Sequence, residues 1–134
     1  MLSEEHVELI AKSAVALRRR DWDAWGATLS PEVIYRPMAT CTESEECRGV
    51  EEYRRFLDRF FESFADDFAA EITSIRDYGD AVSVRIDFSG HARASGIEIS
   101  DVVFQVFWCR DGRIIRIEDF ATSAEALNAV GLQA

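Results

Sequence analysis

Residues 79–121 read GDAVSVRIDFSGHARASGIEISDVVFQVFWCRDGRIIRIEDFA and leave a folding chain little choice. Val82, Val84, Ile86 and Phe88 alternate with Ser83, Arg85, Asp87 and Ser89. Val102, Phe104, Val106 and Trp108 alternate with Asp101, Val103, Gln105 and Phe107. Beyond Arg110-Asp111-Gly112, Ile115 and Ile117 alternate with Ile114, Arg116 and Glu118. A period of two sustained over such lengths belongs to antiparallel strands with two unlike faces. The Asp-Gly pair between two of these runs is a strong hairpin signal. The second half of the chain is therefore a curled meander, and the first half has to supply its cover.

That first half reads as helices. Ser3 is a candidate N-cap, after which Val7, Ile10, Ala11, Ala14 and Leu17 recur at helical spacing. Asp21 caps a second, short helix carrying Trp22, Trp25 and Leu29 on one stripe. Ser30-Pro31 ends it, and Glu32 to Arg36 form a short strand stopped by Pro37. Met38 to Arg48 is expected to be a loop. Gly49 opens a third helix with Val50, Tyr53, Leu57, Phe60 and Phe64 on one face. Phe68 to Asp77 is a strand. At the far end, Thr122 and Glu125 form a capping box for a last short helix that Gly131 terminates. Helices gathered early and strands late give a single α+β domain over residues 1–134, a bent sheet wrapped on a helical layer.

Composition narrows the partners. The 134 residues carry 15 Lys and Arg against 25 Asp and Glu, a net charge of −10. No basic face is available for phosphates, which argues against nucleic acid and anionic membranes. Arg18-Arg19-Arg20, the only basic run, reads as a solvated helix end. No apolar run approaches the ~18 residues that span a bilayer, and the opening MLSEEHVELI lacks the pattern of a signal peptide. Three cysteines are too few for a disulfide framework, which points to a reducing cytoplasm. Cys41 and Cys47 lack the spacing of a zinc site, and no Gly-rich phosphate cradle occurs, so neither metal nor cofactor is expected.

The element order, together with the closing DGRIIRIEDFATSAEALNAVGL, resembles the SnoaL-like branch of the nuclear transport factor 2 superfamily. The resemblance implies a cone, in which a strongly curved antiparallel or mixed sheet is closed by three N-terminal helices and a short C-terminal one. A small-molecule pocket occupies its mouth, and many members dimerise through the outer sheet face. Ketosteroid isomerases, polyketide cyclases, limonene-type epoxide hydrolases and proteins without chemistry share this fold. The isomerase residues do not carry over, since Ser13, Pro37 and Phe104 stand where its tyrosine and two aspartates would be. The late-strand acid of the cyclases falls on Asp119. The epoxide hydrolase R-x-D falls on Arg85-Ile86-Asp87 and its water-holding tyrosine on Tyr35, while Pro37 replaces the companion asparagine.

The residues themselves single out Asp119, which continues the Ile115-Ile117 row and so ends an apolar stripe. Burial raises a carboxylate pKa toward neutrality and suits it to general acid or base work. The alternative is a helix cap or a rim ion pair. Arg85 and Asp87 share one face of their strand, either as pocket groups or as an ordinary exposed pair opposite the Val82–Phe88 row. His91 sits where that strand ends and is a candidate proton carrier or a plain loop residue. His6 reads as surface. The expected pocket is apolar, lined by Trp22, Trp25, Tyr35, Phe60, Phe104, Val106 and Ile117, and sized for a small hydrophobic, cyclic molecule. The expected protein is a homodimer that binds such a molecule, with cofactor-free acid–base chemistry by Asp119 as its enzymatic form. A binding module without chemistry and an epoxide hydrolase are the alternatives.

Overall fold

A computed structural model describes residues 2–38 and 46–131 of the chain. Its elements run α1 (Leu2–Arg18), α2 (Trp22–Ala27), β1 (Leu29–Arg36), β2 (Cys47–Arg48), α3 (Val50–Glu62), β3 (Ala69–Asp77), β4 (Ala81–His91), β5 (Glu98–Arg110), β6 (Arg113–Phe120) and α4 (Ser123–Ala129). The caps are local and follow the sequence. The Asp21 side chain accepts from the Ala24 amide at 3.1 Å, and the Thr122 hydroxyl accepts from the Glu125 amide at 3.2 Å. Gly49 precedes α3 with φ +86°, a backbone that disfavours any side chain. Helix α1 begins one residue before Ser3, so Ser3 lies inside it. Residues 39–45, with Cys41 and most of the expected loop, lie outside the described residues.

Six strands form one curved, unclosed, mixed sheet in the order β2-β1-β6-β5-β4-β3. All neighbours are antiparallel except β1 and β6, which run parallel. Strands β4 and β5 pair without interruption from Ala81–Trp108 to His91–Glu98. The β5–β6 turn has Asp111 at φ +52° and Gly112 at φ +73°, the left-handed pair that a two-residue hairpin requires. Besides a register shift between Ile72 and Ser74 in β3, two irregularities bear on the site. Pro31 falls inside β1, where the register against β6 jumps from Leu29–Ile114 to Ile34–Arg116. A proline in a strand belongs at such a bulge, because it has no amide to give the ladder.

The second irregularity sits in β6, where pairing passes from Cys109–Ile114 to Trp108–Arg116. It turns Ile114 and Ile117 inward, both essentially fully buried. Ile115 is left facing away, beside Trp108 and His6. The expected Ile115-Ile117 row is therefore an Ile114-Ile117 row, and Asp119 still follows Ile117 on the inner side.

The helices close the concave face. Trp25, Tyr53, Phe56 and Leu57 pack there with Val33, Val82, Val84, Ile114 and Ile117. The convex face of β5 is covered separately, where Phe104, Val106 and Trp108 meet Phe120, Ala126 and Val130 from β6 and the α4 segment. His6 is buried too, against the surface position expected for it, and its Nδ1 donates to the Gly79 carbonyl at 2.8 Å. No helix among the described residues is long and apolar enough to cross a membrane.

At the open end, Phe60, Phe61, Phe64, Phe68 and Phe88 form a cluster of rings 4.9–6.5 Å apart. Gly90 lies against it. A Cβ there would come within 3.0 Å of Phe64 Cδ1 and 3.3 Å of the Phe68 Cα. Because one of those atoms is backbone, Gly90→Ala is expected to destabilise the fold by about 1–3 kcal/mol in urea unfolding.

Candidate functional site

The concave face is not filled completely. A cavity of about 230 Å³ remains between α1, α3 and the sheet, smaller than the ~300–1,000 Å³ of a drug-sized site. Val84, Ile86 and Phe88 of β4 and Val103 and Phe107 of β5 form its sheet wall. Tyr53, Phe56, Leu57 and Phe60 come from α3, with Ile10, Ala14 and Leu17 from α1. The strand rows follow from the β4–β5 register, in which Val84 opposes Gln105 and Ile86 opposes Val103.

Three polar side chains meet on the sheet wall. The Tyr35 hydroxyl donates to Asp119 Oδ2, and Gln105 Nε2 donates to Asp119 Oδ1 at 2.8 Å. Strand pairing arranges this, since Gln105 lies directly across from Asp119 in the β5–β6 ladder. Tyr35, on parallel β1, is level with Ile117 and reaches one inward step further along β6. Burial drives the Asp119 carboxyl up from 3.8 to about 6, with the Tyr35 and Gln105 hydrogen bonds opposing the rise. Asp119 keeps part of its surface, but it lines the cavity rather than the outer face.

Tyr53 stands beside this group. Its ring stacks on Tyr35 with centroids 4.4 Å apart at 14°, and Trp25 meets it edge-on at 5.1 Å. Burial, and then the nearby Asp119 charge, push the Tyr53 phenol well above its ordinary 10.0. It is a neutral O–H at any physiological pH.

Of the residues singled out in the sequence, Asp119, Tyr35, Trp25 and Phe60 line the cavity. Trp22 packs edge-on against Trp25 from outside, under the Arg54 guanidinium. Ile117 is core beneath the cavity. Phe104 and Val106 point the opposite way, onto the surface covered by α4. Their row was expected to face inward because it is apolar, but both rows of β5 are apolar. Arg85 and Asp87 lie on the convex face, opposite Phe104 and Val102. Arg85 Nε donates to Asp87 Oδ1 at 2.9 Å, both side chains are more than 40% exposed, and the arginine holds the Asp87 carboxyl below its usual value. His91 is exposed as well, with Nδ1 2.5 Å from Asp67 Oδ2, and that hydrogen bond raises its pKa.

Gln105, Tyr53 and Phe56 also line the cavity, beyond the residues that the sequence singles out. Gln105 had a signal of its own, being the lone polar residue between Val102 and Trp108. Among the described residues, no three of His, Cys, Asp and Glu gather as metal ligands.

The SnoaL-like domain model matches residues 10–117, most of the chain and nearly all of the cone. The chain belongs to the SnoaL-like family. Solved structures of SnoaL-like and related proteins share the fold at low sequence identity. TerC, crystallised with polyporic acid, is 18% identical with a TM-score of 0.76, over 95% of this chain and 98% of that one. A putative SnoaL-like polyketide cyclase from Jannaschia sp. CCS1 is 18% identical with a TM-score of 0.74, over 99% and 96%. An LEH-like epoxide hydrolase from M. tuberculosis is 22% identical with a TM-score of 0.69, over 90% and 84%. No curated protein matches the sequence.

In this SnoaL-like cone the charge on Asp119 works against folding. Because its pKa rises from 3.8 to about 6 in the native state, the folded protein holds a proton between those values that the unfolded chain has released. The stabilisation is complete below pH 3.8 and is lost as pH rises through 6. Asp119→Asn is therefore expected to be more stable than the parent at pH 8, by about 1–3 kcal/mol. The difference should shrink toward zero near pH 4, read as paired urea midpoints across pH, where every other titration cancels.

Proposed function

We propose that this protein holds a small, largely apolar, cyclic molecule in the cone and moves a proton on it with Asp119, without a cofactor. The observation that carries the reading is a carboxylate with a pKa near 6 at the end of an apolar cavity, fixed by Tyr35 and Gln105. Such a group is mostly ionised at neutral pH yet close enough to its pKa to take and return a proton, which is what general-base work requires. Tyr35 and Gln105 each engage one oxygen, so the carboxylate cannot swing away from the guest. Tyr53, from α3, adds a neutral phenol beside this group, suited to an oxygen on which negative charge develops. The apolar lining keeps those interactions strong by excluding water.

One observation favours a second reading, binding without chemistry. Both Asp119 oxygens already accept a hydrogen bond from the protein, as they would in a carboxylate kept for its place in the wall. Epoxide opening, the activity named for one structural neighbour, would have Asp119 and Tyr35 at hand here but not Arg85 and Asp87, which face the other way. The homodimer implied by the family resemblance belongs to this proposal, with the convex face around Arg85 as its surface. So does a reducing cytoplasm, where the buried Cys109 thiol, its pKa raised to about 11, stays protonated.

The test is a screen of small cyclic ketones, esters, quinones and epoxides, with binding read by tryptophan fluorescence and turnover by mass spectrometry in labelled water. For any compound that turns over, Asp119→Asn should lower kcat by about 10²–10⁴-fold and leave binding nearly unchanged. An unaltered kcat in that variant removes the catalytic reading and leaves the binding one.

A further inference from the structure

The three arginines that end α1 are all exposed, Arg18 while bordering the cavity, and they differ in what their side chains reach. Arg20 is engaged by the protein, with Nη1 donating to the Leu17 carbonyl at 2.6 Å and its guanidinium 3.7 Å from the Phe61 ring centre. Arg18 stands apart from it. It lines the cavity on the stripe that also holds Ile10, Ala14 and Leu17, and it makes no ion pair among the described residues. Ser13, only 6% exposed, brings a hydroxyl-bearing side chain to the same wall. Glu71 also borders the cavity, but it pairs with Asp87 in the β3–β4 ladder and shares that residue's convex face.

The cavity is thus polar at two separate places. One is the Asp119 group on the sheet, and the other is the Arg18 cation on α1, with apolar side chains between them. Ser13 stands about 140° round the helix from Arg18. We propose that the molecule held here is an apolar ring system bearing a carboxylate, its body against Phe60, Val84 and Phe107 and its anionic end at Arg18. The inference rests on the cavity being a binding site and adds the charge of the guest. A guanidinium suits that end because its planar fork matches a carboxylate. In a chain of net charge −10, an arginine without an acidic partner at a cavity wall is also the group to which an acid would go. A neutral ring would leave Arg18 idle. A dianion would bring its second charge against Asp119.

The probes are naphthalene-2-carboxylate and its neutral isostere naphthalene-2-carboxamide, titrated calorimetrically at pH 7.5 into the wild-type protein, Arg18→Gln and Ala14→Phe. The wild type should bind the acid about tenfold more tightly than the amide, the size of one charge-assisted contact. Arg18→Gln should erase that ratio while leaving amide affinity within about twofold. If Arg18 serves only the α1 dipole, its loss shifts thermal stability and not the ratio. Equal binding of acid and amide by the wild type, or a ratio that survives Arg18→Gln, overturns the proposal. Ala14→Phe separates the two readings by filling the cavity. If it abolishes amide binding while the acid shows no preference, the cavity stands as a site and the anion end is wrong. If neither probe binds the wild type, both readings fall.

Discussion

Strand β5 is apolar on both faces from Val102 to Trp108, apart from Gln105, and the domain is constructed to cover it twice. Val103 and Phe107 need the helical layer on the concave side. Phe104, Val106 and Trp108 need something on the convex side, and the chain supplies it by returning α4 after β6. A half-buried sheet would have solvated one of these rows. The double cover lets the sheet curve enough to leave a hollow while its middle strands stay dry.

The single polar break in β5 explains the site. A carboxylate brought into an apolar hollow needs donors, because an unpaired buried charge is more costly than any one contact repays. Gln105 provides one from the adjacent strand and Tyr35 another from the parallel strand on the far side of β6. Asp119 is therefore held from both neighbours in the sheet, independently of the helices above. The site's rigidity comes from the ladder, and its shape comes from the aromatic side chains of α2 and α3.

Much of this was legible in the residues. The Asp-Gly turn, the Asp21 and Thr122 caps and the runs of alternation act over a few residues, and all appear where their local chemistry puts them. What could not be read depends on distant partners. Which row of β5 faces the hollow is decided by α4 and the helices together, so alternation alone places Phe104 and Val106 on the wrong side. His6 is buried with its ring N–H donating a hydrogen bond to a turn carbonyl 73 positions away. Arg85 and Asp87 matched a familiar spacing, yet on β4 the apolar row, Val84, Ile86 and Phe88, faces inward as simple patterning prefers. Gln105 was visible as an exception but had no meaning until Asp119 was seen across from it.

The β6 irregularity has a consequence for how such cones diverge. Counting straight from buried Ile114 in steps of two reaches Arg116 and Glu118. The extra residue at the bulge is what substitutes Ile117 and Asp119. The identity of the acid in the hollow is thus set by where the bulge sits as much as by residue type. Removing the extra residue, Ile115, would restore an unbroken ladder with Asp119 still across from Gln105. A bulge placed beyond Asp119 would instead bring Arg116 and Glu118 into the hollow and turn the present carboxylate to the convex side. The place of that one extra residue is a coarse dial on reactivity, able to exchange one acid for its neighbour without altering the aromatic vault around it.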